Sequence, residues 1–352
     1  MEKRKTEGDD CAARAGGAVP GTRVGSVPAP HNRRARHHFE RRAPDGPCPA
    51  MALISPQGRR REGEASEAGV EDFDGVPATD VDPATAFERG VALEEGGKPE
   101  EADSWYRLAA DAGHPAAANN LGLLLDGRGA PEEAEAWYRR GAEAGSLDAA
   151  YNLGLLLEGR GDDSEAEPWY RRAAEAGDAA AAYRLATLLE EREDREEAEA
   201  WYRRAAESGY GPAANGLGML LDQRGMAAEA EVWYRHAGEA GDLDGGYNLA
   251  LGLRRRGALE EAEAWFRWAA DSGDGESAYE LAVLLEARGD QAEAEKWYAR
   301  AGQAGHADSA FYLGMLREEE GDAAEAGAWY RRAAEAGHEA AARKLGVEEA
   351  TA

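Results

Sequence analysis

The chain is poor in the residues that staple or build chemical sites. It has two cysteines in 352 residues, Cys11 and Cys48, and both precede residue 49. No disulfide or thiolate-bound metal can therefore hold the rest of the chain together, and the usage fits a reducing compartment. Nothing approaches the roughly 18 uninterrupted apolar residues of a membrane-spanning helix. The start, MEKRKTEGDD, has charge but no apolar run behind it, so no secretory signal is visible. Lysine is scarce: five Lys stand against 36 Arg. With the abundant Ala and Gly, that skew suggests a GC-rich, bacterial genome. Positive charge is also scarce outside one region. Residues 1–61 carry 13 Lys/Arg against 6 Asp/Glu, a net of +7, and the rest carries 28 against 63, a net of −35. Such an array would repel phosphates, which disfavours a nucleic-acid ligand.

What is present is a repeat. Eight of nine tryptophans (Trp105, Trp137, Trp169, Trp201, Trp233, Trp265, Trp297 and Trp329) are spaced by 32 residues. A glycine follows each by eight positions, from Gly113 to Gly337, and a leucine by sixteen, from Leu121 to Leu345. No insertion breaks the register. A fixed period of roughly 20–50 residues signals a solenoid, in which each unit buries its apolar face only against its neighbours.

One unit, Gly145 to Gly177, shows why. Ser146 is an N-cap, as are its equivalents Asp178, Asp242 and Asp274. Helix A is expected over about 147–159, with Ala150, Leu153, Gly154 and Leu157 on one face. The small residue at Gly154 recurs as Gly122, Ala186, Gly218, Ala250, Ala282 and Gly314, and lets another helix approach closely. Gly161 and Asp162 turn the chain. Helix B is expected over about 164–176, with Ala166, Tyr170 and Ala173 inward and Glu167 four residues before Arg171 outward. Gly177 ends it with a left-handed cap. A first helix A is expected over about 83–96 and a lone closing helix over about 339–348. The fold class is all-α: eight 32-residue helix-turn-helix repeats plus a C-terminal capping helix.

Two domains follow. Residues 1–79 are a basic-then-acidic tract with no helical or strand period, read as a disordered, solvated tail, with Met51 as an alternative start. Residues 80–352 form the array.

YNLGLLLEGRG (151–161) followed by EAEPWYRRAAEAG (165–177) resembles tetratricopeptide repeats (TPR). The Leu-Gly, Ala, Tyr and Ala pattern falls on Leu153, Gly154, Ala166, Tyr170 and Ala173, and the AAEAGH run at 333–338 resembles the Sel-one-like branch. The chain uses the short form of both inter-helix junctions. The resemblance covers about 80–350. It implies a right-handed α/α superhelix that serves as an adaptor, with helix A lining the concave groove.

Mapped in register, that groove holds Asn119, Tyr151, Tyr183, Asn215, Tyr247, Tyr279 and Phe311, with Asn120, Asn152 and Asn248 one residue on. An acidic rim follows at Asp126, Glu158, Glu190, Asp222, Glu286 and Glu318. Aromatic faces beside carboxylates suit Arg- or Lys-rich extended segments; equally, the tyrosines can be inter-repeat packing and the acids mere solubilisers. The lysine-rich carboxylate clamp of chaperone-binding members is absent.

Chemistry is not advertised. His114, His306 and His338 all fall at helix A N-caps without a carboxylate or cysteine at ligand spacing, and His236 lies on an outer face. No phosphate loop, nucleophile elbow or zinc motif is present. The reading is no enzyme, no metal and no cofactor. Two irregularities stand out. The helix A near 243–256 carries Gly245, Gly246 and Gly252 and ends in Arg254, Arg255 and Arg256, so a weak helix, a hinge and a basic spot are expected there. Trp268 stands where other units have an outer-face Arg, and is a candidate interface anchor.

Function is read as a cytoplasmic protein-interaction scaffold for an extended, basic peptide or protein. The alternative is an acidic regulatory or DNA-mimicking protein that sequesters a basic nucleic-acid-binding partner.

Overall fold

The computed structural model describes residues 81–346. These lie within the second of two units, Gly69–Ala352. The tail, Met51 and residues beyond 346 fall outside the described residues. The described residues hold seventeen helices and no strand. The A helices are α1 (Pro83–Glu95), α3 (Pro115–Gly127), α5 (Leu147–Arg160), α7 (Ala179–Glu191), α9 (Gly211–Gln223), α11 (Leu243–Arg255), α13 (Gly275–Arg288) and α15 (Ala307–Glu319). The B helices between them are α2 (Pro99–Asp111), α4 (Pro131–Glu143), α6 (Asp163–Glu175), α8 (Arg195–Glu207), α10 (Ala227–Glu239), α12 (Leu259–Asp271), α14 (Gln291–Gln303) and α16 (Ala323–Glu335). A single helix, α17 (Glu339–Lys344), closes the array. Each helix packs on its sequence neighbours, as an α-solenoid requires.

The boundaries follow from local chemistry. All A helices but α9 are capped by side chains: Asp82, Ser146, Asp178, Asp242 and Asp274 accept from the backbone N–H three residues on. His114, His306 and His338 do the same through Nδ1, at 3.2, 3.1 and 3.2 Å. B helices mostly lack a side-chain cap; the first two start on Pro99 and Pro131, whose missing N–H costs nothing there. Turn glycines such as Gly161 (φ 83°) and Gly177 (φ 103°) take the left-handed conformation. The A-to-B turn at 193 breaks this rule, with Glu193 at φ 65°. The closing helix is shorter than the expected 339–348, because Gly346 takes φ 70° directly after Leu345.

The core sits between each A helix and its B helix. A Cβ on Gly154 would fall 2.5 Å from the Tyr170 ring, and one on Gly122 2.5 Å from that of Tyr138. The small residue of helix A is thus the seat of the B-helix tyrosine. Burial of these rings with Leu121, Leu153, Leu185 and Leu217 contributes about 1.5–3 kcal/mol per side chain.

Candidate protein-interaction face

On the A helices, seat and rim form one repeated rung. The B-helix tyrosine runs along helix A and donates its hydroxyl to the carboxylate in helix A's last turn, twelve residues before it. Tyr106 reaches Glu94 at 2.6 Å, Tyr170 Glu158 at 2.5 Å, Tyr202 Glu190 at 2.9 Å, Tyr298 Glu286 at 2.8 Å and Tyr330 Glu318 at 2.6 Å. Burial first, and then the neighbouring carboxylate, push these hydroxyls well above the ordinary tyrosine range. The same carboxylates tie to the next A helix: Glu158 takes Arg184 at 3.4 Å, Glu286 takes Tyr312 at 3.1 Å, and Glu318 pairs with Lys344. The acids expected as a free rim therefore already serve as inter-helix acceptors at Glu158, Glu190, Glu286 and Glu318.

The aromatic positions pack in two directions. Tyr151, Tyr183, Tyr279 and Phe311 meet their own B-helix tyrosine at 5.9, 5.9, 6.0 and 5.5 Å between centroids, and Tyr247 meets Phe266 at 5.9 Å. Several also stack on the next N-cap: Tyr279 on His306 at 4.3 Å, Phe311 on His338 at 4.1 Å, and Phe87 on His114 at 4.6 Å. One imidazole thus caps a helix and glues two repeats. Tyr247 and Tyr279 are buried in this seam and are not groove-lining residues. Asn119 and Asn215 are buried too; their Oδ1 atoms accept from Asn152 and Asn248 at 2.8 and 2.9 Å. Asn120 accepts from Asn119 and donates to the Tyr106 hydroxyl at 3.3 Å. Tyr151, Tyr183, Phe311, Asn152 and Asn248 remain half-exposed, beside half-buried Asp126, Glu158, Glu190, Asp222 and Glu286.

One rung is reversed. Arg254 stands at the acid's register position and pairs with Glu280, which is 3% exposed. Its tyrosine is correspondingly Phe266, with no hydroxyl and with the Arg254 guanidinium 5.9 Å from its ring. Arg255 pairs with Asp222 at 3.0 Å and Arg256 with Glu231 at 3.0 Å, so the expected basic spot is neutralised.

Gly246 and Trp268 explain each other. A Cβ on buried Gly246 would collide with the Trp268 ring. That ring is half-buried and meets Trp265 edge-on at 5.5 Å, where Arg140 and Arg300 instead cover Trp137 and Trp297 at 4.2 Å. Trp268 is therefore packing, not an exposed anchor.

The B-helix face carries a second ladder that reading pairs within single helices missed. Glu135, Glu167, Glu199 and Glu263 each hold the Arg four residues on at 2.9 Å. Each also holds an Arg at the next A-helix end, Arg160, Arg192, Arg224 or Arg288. Hydrogen bonding from Arg171 holds the Glu167 carboxyl below its usual range. The arginines recur at the same 32-residue step, which was the available signal. A shallow depression of about 420 Å³ lies here on α8, between Glu196 and Arg224, away from the A-helix aromatics. Among the described residues no group of three or more His, Cys, Asp or Glu side chains could hold a metal ion, and no helix is long and apolar enough to cross a membrane.

The array thus defines an all-helical repeat protein of the tetratricopeptide class. The Sel1 repeat family model matches residues 83–114, 147–178, 179–210, 275–306 and 307–338, and a tetratricopeptide repeat model matches 116–144. The chain is a Sel1-like repeat protein. A Sel1 repeat protein from Oxalobacter formigenes is similar in structure, with 26% identity and a TM-score of 0.64 over 76% of this chain and 88% of that one. So is c5321, a protective antigen of uropathogenic Escherichia coli with an SLR fold, with 28% identity and a TM-score of 0.61 over 76% of this chain. This chain spans 65% of that antigen's length. No curated protein matches the chain. Repeat proteins of this family act as protein-interaction scaffolds.

Proposed function

We propose that the array is a protein-interaction scaffold that holds an extended, basic peptide or protein segment along its A-helix face, in the cytoplasm. The observation that carries this reading is the acid repeated in the last turn of α1, α3, α5, α7, α9, α13 and α15, beside half-exposed Tyr151, Tyr183 and Phe311. A run of carboxylates at one register position favours a cationic segment laid across the repeats. The excess of 63 Asp/Glu over 28 Lys/Arg beyond residue 61 supports the same sign of partner. It also supports a second reading, in which the acidic surface as a whole sequesters a basic nucleic-acid-binding protein. No catalytic role, metal or cofactor is proposed.

The two readings separate on salt and on side chains. The full chain and its Tyr151→Ala/Tyr183→Ala variant serve as baits in native lysate, eluted with a salt gradient. A discrete partner that the variant loses supports the A-helix face. Many basic proteins leaving both baits together at modest salt would overturn it in favour of diffuse attraction.

A further inference from the structure

The array contains one arrangement twice, 96 residues apart. Asn119, Asp126, Tyr138 and Asn152 correspond to Asn215, Asp222, Tyr234 and Asn248. In both copies an Asn–Asn hydrogen bond joins consecutive A helices, α3 to α5 and α9 to α11. In both, the acid is Asp, one methylene shorter than the Glu of other rungs. The tyrosine hydroxyl that elsewhere meets a carboxylate at 2.5–2.9 Å makes no hydrogen bond here among the described residues.

The copies differ in one respect. Asp222 holds the Arg255 guanidinium at 3.0 Å. The register position of Arg255 in the first copy is Gly159, and a Cβ built there would meet nothing within 4 Å. Among the described residues Asp126 has neither an ion pair nor a side-chain hydrogen bond. Tyr138 is 1% exposed. Its ring lies against Gly122, with Cζ 3.0 Å from a Cβ built there, one helical turn before Asp126. The hydroxyl thus points along α3 toward the carboxylate, whose charge it feels. The Asp126 carboxylate, with the Tyr138 hydroxyl behind it, thus lacks the guanidinium that Asp222 holds in the other copy, and Gly159 leaves an opening where Arg255 stands there. Leu156 takes the register position of Gly252, whose built Cβ lies 3.9 Å from Arg255 Nη2, so the opening has a leucine beside it.

We propose that the Asp126 carboxylate, backed by the Tyr138 hydroxyl, is a binding site for an arginine side chain of a partner polypeptide, with Arg255 on Asp222 as the array's own filled copy of the carboxylate contact. A guanidinium offers several N–H donors in a planar fork and no acceptor, which suits a carboxylate beside a hydroxyl oxygen. The proposal rests on the scaffold reading and names one anchor point for it.

The test titrates a fluorescein-labelled hexa-arginine peptide into the full-length protein at near-physiological salt. Asp126→Asn and Gly159→Arg are each expected to weaken binding about tenfold, the size of a lost charge-assisted contact. Asp163→Asn, which removes a charge from the start of α6, is the control and is expected to change it less than about twofold. Arg255→Ala is expected to open the second copy and raise the stoichiometry of tight binding from one to two. Equal weakening by Asp126→Asn and Asp163→Asn, or an unchanged stoichiometry in Arg255→Ala, overturns the site and leaves the scaffold reading standing. No saturable binding to the wild type overturns both.

Discussion

The reversed rung offers the sharpest energetic test. Arg254→Ala strands the Glu280 carboxylate, 3% exposed, without its cation. Removing one partner of a buried ion pair costs about 3–5 kcal/mol, because the remaining charge stays desolvated. Arg254 keeps 29% of its side-chain surface in solvent, so we expect the lower end, about 3 kcal/mol. The rung can also be rebuilt in the common form. The triple variant Arg254→Glu/Phe266→Tyr/Glu280→Arg reproduces Glu158, Tyr170 and Arg184, where the hydroxyl meets the carboxylate at 2.5 Å. It should lie within about 1 kcal/mol of the wild type, as charge and hydrogen-bond partners are all restored. Urea unfolding followed by circular dichroism gives the total. Amide exchange in α11 and α13 localises the loss, since a repeat array need not unfold as one unit. An Arg254→Ala variant within about 0.5 kcal/mol of the wild type would show that Glu280 does not depend on this cation, as would a triple variant no more stable than the single.

Three further outcomes follow from the packing. Glu193→Gly should stabilise the array by about 1 kcal/mol, because Glu193 alone among the described non-glycine residues holds a positive φ; an unchanged urea midpoint would contradict this. Gly246→Ala should cost about 1–3 kcal/mol through collision with Trp268, and Trp268→Arg, the residue type of other repeats, should recover most of it; additive losses in the double variant would show that the two do not touch. The rung tyrosines ionise harder folded than unfolded, so their contribution is full below roughly pH 10 and is lost as pH rises through the folded values. Tyr312, pushed up to about 12, should ionise before Tyr170. The part of the tyrosinate absorbance that belongs to the buried rung tyrosines should therefore rise only together with loss of helicity above pH ~10, whereas full ionisation with helices intact would refute the burial of these rings.

Much of the fold was legible because it is periodic. The Trp, Leu and Gly ladders place every helix pair, and Ser146, Asp178 and His306 announce their own caps. The rungs were not legible in the same way. A tyrosine and a carboxylate twelve residues apart lie on different helices, and no single-helix periodicity joins them. Joint deviation was the signal: Arg254 replaces the acid in the same unit where Phe266 replaces the tyrosine. Seam and groove also share a register position. That is why half-exposed Tyr183 and buried Tyr279 look alike in sequence, although their surroundings differ. Trp268 misled because its partner is an absence, the missing side chain of Gly246.

Site-specific photocrosslinking in cells shows directly whether a partner lies along the A-helix face. A photoreactive phenylalanine analogue replaces Tyr151 or Tyr183 on the A helices, or exposed Ala136 or Ala200 on the B helices. A partner held along the A-helix face gives one discrete adduct from positions 151 and 183 and none from 136 and 200. Adducts from 136 and 200 with none from 151 and 183 would place the partner on the B helices and rule out the A-helix face.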